Sequence, residues 1–171
     1  DFTGRGEGLR RTTDLRGRSG VGHGNVHWSG NFDEIQDFEH DIREVFGGDG
    51  FLDLTPQEFA SFHPSPASGK TGLSTDLDAL AAYVTSLGVE TIPRSPHRDA
   101  DGAMTAAGIA GAAVFAAQGC ATCHSGATYT DSDASGTVHD VGTLRTTSGS
   151  ATTGIDTPSL LGLWNTAPYF H

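Results

Sequence analysis

The stretch that decides the fold is Thr105 to His124, TAAGIAGAAVFAAQGCATCH. Its alanine-rich opening predicts a helix from about Thr105 to Gln118, and it ends in the spacing C-x-x-C-H at Cys120, Cys123 and His124. That spacing is the attachment signature of a c-type haem. Each thiol adds to one haem vinyl group, and a three-residue separation sets both sulfurs over one porphyrin edge. The following histidine then projects under the ring, where a neutral imidazole nitrogen binds iron. Cys120 and Cys123 are therefore the expected anchors, and His124 the expected proximal ligand. A thioredoxin-like dithiol stays open as a lesser alternative, although it expects a strand before the motif rather than a helix. A zinc site wants four tetrahedral ligands, usually a second C-x-x-C or H-x-x-x-H pair, and the chain has no other cysteine.

Composition sets the frame around this motif. The chain has 171 residues, 10 Lys+Arg against 21 Asp+Glu and a net charge of −11, so a general nucleic-acid or anionic-membrane surface is excluded. Hydrophobic residues make up 36% and glycines number 24, which predicts long loops and an interior filled partly by something other than side chains. The longest apolar run, Ala112 to Ala117, is far short of the roughly 20 residues a membrane span needs. Covalent haem attachment takes place outside the bacterial cytoplasm, so a periplasmic or extracellular location is expected.

Working outward, residues 1–30 are glycine-rich and read as ordered loop. Asn31 and Glu34 predict a capping box, followed by the apolar stripe Phe32, Ile35, Phe38, Ile42, Val45 and a stop at Gly47. The opposite face, Asp33, Asp37, Asp41 and Glu44, is expected in solvent. Thr55-Pro56-Gln57-Glu58 starts a short helix ending near Pro64. Ser74 caps a third, with Leu77, Leu80, Ala81, Val84 and Leu87 on one face and Gly88 at its end. Residues 91–102 are the expected linker, and residues 125–157 an expected surface excursion. No strand pattern survives, so the class is all-α with long loops.

Further strings carry a resemblance. Gly111 and Phe115 ahead of Cys120 resemble the first helix of small cytochromes c, and Leu77 to Val84 resembles their closing helix. CATCHSGATYTD from Cys120, VHDVG from Val138 and DTPSLLGLWNTAPYFH from Asp156 are similar to the bacterial di-haem cytochrome c peroxidase superfamily. Thr13 to Gly17 followed by His27-Trp28-Ser29-Gly30 weakly echoes Thr157 to Gly162 followed by His171. The resemblance implies two cytochrome c-like helical lobes around a covalent haem: residues 1–90 without an attachment motif, and residues 103–171 with one. Family members carry two such motifs and this chain has one. The second lobe is expected to be cut short before the family's distal-ligand loop and closing helix, within a larger chain or complex.

The resemblance leaves the sixth iron position to His63, His171 or His27. His23, His40, His97 and His139 are expected at the surface or in loops, Met104 as a helix-start hydrophobe, and Trp28 and Trp164 as packing. Asp131-x-Asp133-x-Ser135-Gly136 imitates a calcium loop, but its twelfth position is Gly142 rather than glutamate, so Ca2+ is the weaker cofactor expectation beside one haem c. Gly69-Lys70-Thr71 lacks the upstream glycine of a phosphate loop, because position 64 is proline. The expected function is electron transfer to a redox partner protein by a mono-haem cytochrome with no catalytic residues assigned. The alternatives are a cytochrome c peroxidase-like oxidoreductase and a haem-bearing subunit of a larger assembly.

Overall fold

The computed structural model describes residues 13–61, 69–144, 152–167 and 169. Among these the chain is helical. Its extended pairings are three isolated antiparallel bridges, Val26–Phe32, Arg98–Met104 and His139–Ile155. No helix among the described residues is long and apolar enough to cross a membrane.

The first helical segment, α1 (35–45), joins a 3-10 turn Ile35–Asp37, an α-turn Phe38–His40 and a π-turn Asp41–Val45. The expected capping box is not made. Asn31 Oδ1 accepts from Ser29 Oγ at 2.6 Å, while the Glu34 carboxylate accepts from Lys70 N at 2.5 Å and Thr71 Oγ1 at 3.1 Å. The acidic face also departs from expectation, since Asp37 and Asp41 are buried and only Asp33 and Glu44 are exposed. Asp37 pairs with Lys70, and Asp41 faces His27 Nε2 at 3.3 Å. Helical periodicity marks apolar positions, but it cannot show cations arriving from distant loops to neutralise a buried carboxylate.

Glu39 is fully buried and ties α1 to the next loop. Its carboxylate accepts from Phe51 N at 2.8 Å, Leu52 N at 3.0 Å and Arg43 Nε at 2.7 Å. Arg43 also donates to the carbonyls of Leu52 and Leu54 and lies 4.8 Å over the Phe59 ring. That ring belongs to α2 (Pro56–Ser61), which starts at the expected Thr55-Pro56 and adds a capping box with Glu58. Thr55 N donates to Glu58 Oε2 at 2.8 Å, and Glu58 N donates to Thr55 Oγ1 at 3.3 Å.

Helix α3 (Thr75–Thr85) starts where Ser74 Oγ accepts from Leu77 N at 3.3 Å. It ends with Ser86 as its cap, before the expected Gly88. Its buried Ala81 and Val84 pack with Ile35, flanked by Val21 and Val26. Helix α4 (Ala106–Ala117) is capped by Thr105 Oγ1, which accepts from Gly108 N at 3.2 Å. None of its residues is buried, and Ile109 and Val114 are 58% and 60% exposed.

Residues on either side of 91–102 are pinned together. Ser132 Oγ donates to Asn25 O at 3.2 Å, Asp156 N to Trp28 O at 2.9 Å and an Arg18 terminal nitrogen to Ser159 O at 3.3 Å. The polar stretch expected as a surface excursion is therefore partly interior, with Thr130, Ser132, Ile155, Asp156 and Thr157 buried. Its hydroxyls enter because backbone carbonyls satisfy them: Thr130 Oγ1 donates to Thr157 O at 2.5 Å, for example.

Candidate functional site

Helix α4 delivers the cysteine motif through one left-handed residue. Gly119 has φ 70°, and from it the chain enters a 3-10 turn, Cys120–Thr122, with Cys123 as its cap. The conformation, not crowding, calls for glycine here, because an added Cβ would meet its nearest neighbour, Thr122 Oγ1, only at 4.0 Å. Both thiols are free and half-buried. His124 N donates to Cys120 O at 3.0 Å, which folds the histidine back under the turn.

The His124 ring is oriented by a backbone carbonyl. Nδ1 lies 3.1 Å from Tyr129 O, and a carbonyl can only accept, so in the neutral ring Nδ1 donates and Nε2 is left to ligate. Tyr129 holds φ 54°, and its ring meets Phe115 of α4 edge-on at 6.4 Å. Two thiols and one imidazole on a single turn fit the donor set of a covalently held haem.

A second cluster adjoins this turn. Cys123, Asp131 and His139 bring a sulfur, a carboxylate oxygen and a ring nitrogen within 4.8 Å of one another. His139 Nε2 lies 2.7 Å from Asp131 Oδ2, and the His139 backbone pairs with Ile155 at 2.9 and 2.8 Å. Burial works against the Asp131 charge, but hydrogen bonds from Thr157 and His139 outweigh it and hold the carboxyl below its ordinary value. His139 was expected at the surface or in a loop; it lies in a loop, part-exposed and paired with Asp131. The VHDVG string that contains it was the available signal.

Asp156 lies deeper. Burial pushes its carboxyl up to about 7; a hydrogen bond from Ser132 and the Arg18 charge oppose the rise, and Asp131 and Asp133 add to it. His23 and His40, expected at the surface or in loops, are both buried, His23 in the loop before α1 and His40 within α1. The His40 ring meets Phe59 at 4.8 Å, tilted by 33°, and burial, reinforced by Lys70, lowers it to about 4. Burial and Arg18 lower His23.

Of the three histidines expected for the sixth iron position, His63 and His171 lie outside the described residues. His27 has a positive φ of 74° and stacks on Phe32 at 4.9 Å. Its Nδ1 lies 2.8 Å from Ser29 Oγ and its Nε2 3.3 Å from Asp41, so both nitrogens are engaged. Met104 is 44% exposed at the start of α4, and Trp164 Nε1 donates to Pro93 O at 3.3 Å. The two aspartates of the calcium-like string are held within the loop. Asp131 is turned onto His139, and Asp133 Oδ1 accepts from Ser135 N at 2.8 Å. Comparison with protein-family models, with curated proteins and with solved structures finds no match to this chain.

Proposed function

We propose that this chain is a c-type cytochrome carrying one covalent haem, that it transfers electrons outside the cytoplasm, and that it is related to the di-haem cytochrome c peroxidase superfamily. The observation that carries the reading is the His124 Nδ1 contact with Tyr129 O, which frees Nε2 on the same turn that presents two free thiols. Cys120 and Cys123 hold the group through thioethers, and His124 ligates its iron. When bound, the haem supplies one-electron iron chemistry. The protein's part is to fix the imidazole, exclude water with the apolar side of α4, and leave an edge open to a redox partner. The exposure of Ile109 and Val114 on α4, the helix that leads into the motif, supports this, because exposed apolar surface is what a flat macrocycle can cover.

The test is secretion of the chain with a cytochrome c maturation system, followed by intact mass and visible spectra with cyanide or carbon monoxide added. The expected result is a mass gain of one haem and a low-spin spectrum that resists added ligand. Absence of bound haem would sink the reading. A high-spin iron that reacts with peroxide would replace electron transfer by the peroxidase reading.

A further inference from the structure

We propose that Cys123, Asp131 and His139 form a zinc-class divalent-cation site in the chain before haem is attached. Their ligand atoms lie within 4.8 Å of one another, and all three residues are half-buried. They reach the point from separate places in the chain. Cys123 closes the 3-10 turn, Asp131 follows the Tyr129 bend, and His139 is anchored by its backbone pairing with Ile155.

The donor set selects the ion. A thiolate and an imidazole favour zinc over magnesium or calcium, and three protein ligands leave a fourth tetrahedral position for water. Bond lengths of about 2.0–2.3 Å place tetrahedral ligand atoms roughly 3.3–3.8 Å apart, between the 2.7 Å His139–Asp131 contact and the 4.8 Å limit of the cluster. Small side-chain rotations close the difference. Sequence spacing alone discounts zinc for want of further cysteines; the fold supplies a histidine and an aspartate instead.

Cys123 cannot serve both groups, because a thioether sulfur carries no thiolate charge. Zinc and the second thioether therefore exclude one another. That exclusion rests on the haem reading; the site itself does not.

The experiment titrates Zn2+ and Co2+ into the reduced, haem-free full chain by calorimetry and visible absorption. The expected result is one ion per chain and a tetrahedral cobalt spectrum with the charge-transfer intensity of a single thiolate. His139→Gln and Asp131→Asn each weaken binding by about tenfold or more, while Cys120→Ser leaves the affinity unchanged. No stoichiometric binding overturns the proposal. So does a two-thiolate spectrum, or binding lost in Cys120→Ser and kept in His139→Gln, since either assigns the ion to the C-x-x-C-H motif itself. The cobalt spectrum of the unsubstituted chain decides the matter even if a variant fails to fold. Failure of the haem reading is separate, because it appears as secreted chain without haem whatever the zinc titration gives.

Discussion

Lys70, the chain's sole lysine, is fully buried in an ion pair with the equally buried Asp37, and Glu34 stands 3.8 Å from the same ammonium. The pair fastens the loop before α3 to α1, because Lys70 N also donates to Glu34. Gln36 reinforces the contact by donating to Thr71 at 3.2 Å and to Asp78 at 3.0 Å.

Breaking this pair from one side leaves a buried charge without its nearest counter-ion. Lys70→Met and Asp37→Leu are each expected to destabilise the fold by about 3–5 kcal/mol. The double variant removes both charges and is expected to cost less than either single change. Urea denaturation of the three variants checks this, and a double variant as unstable as the sum of the singles would refute it.

Two groups with large shifts give stability opposite slopes against pH. Asp156, raised from 3.8 to about 7, keeps a proton in the folded state that the unfolded chain has released. Its contribution is fully present below pH 3.8 and is lost as pH rises through about 7. His40, lowered from 6.5 to about 4, stays neutral in the folded state, so its contribution is present above pH 6.5 and is lost as pH falls toward 4. The two slopes oppose each other in the intact chain. In Asp156→Asn the remaining slope, shared by the lowered His23, makes the denaturation midpoint rise between pH 5 and pH 6.5, the ordinary value of His40. In His40→Phe, with the ring contact to Phe59 kept, the Asp156 slope is opposed by the lowered His23 alone, so the midpoint changes in the falling direction relative to Asp156→Asn. Each limit is up to about 1.4 kcal/mol per pH unit. Parallel pH profiles for the two variants would contradict the assignment.

What could be read in advance followed the range of the interaction. Thr55, Ser74 and Thr105 each cap a helix through an amide three residues ahead, so α2, α3 and α4 were legible from local spacing. Asp37 and Lys70 lie 33 residues apart, and nothing local in α1 reveals that its acidic side turns inward. The C-x-x-C-H string was legible because it is contained in five consecutive residues. The Asp131–His139 pair beside it was not: its two halves lie eight residues apart in an irregular loop whose course is set by backbone bonds to Ile155 and Asn25.

Two left-handed glycines should respond differently to alanine. Gly119 has φ 70° and open space around it, so Gly119→Ala carries only the backbone penalty of about 1–2 kcal/mol. Gly24 has φ 115°, and an added Cβ would lie 2.5 Å from Ser132 C and 2.6 Å from Asp133 N. Gly24→Ala must therefore part the contact through which Ser132 Oγ donates to Asn25 O. Its denaturation midpoint should fall further than that of Gly119→Ala, by roughly 2 kcal/mol or more. Equal losses would mean that the two loops yield freely.

The last prediction separates attachment from ligation. His124→Ala leaves both thiols and the Gly119 turn intact, so on the haem reading both thioethers still form and the mass gain is unchanged. The iron, however, loses its imidazole. The expected spectrum is high-spin, and added imidazole restores a low-spin form by occupying the space the side chain vacates. Cys123→Ser does the reverse: the iron keeps its ligand, the haem is held through Cys120 alone, and the reduced α band of its pyridine adduct shifts as one vinyl group survives. A His124→Ala protein whose spectrum matches the unsubstituted form would remove His124 from the iron, whatever holds the haem.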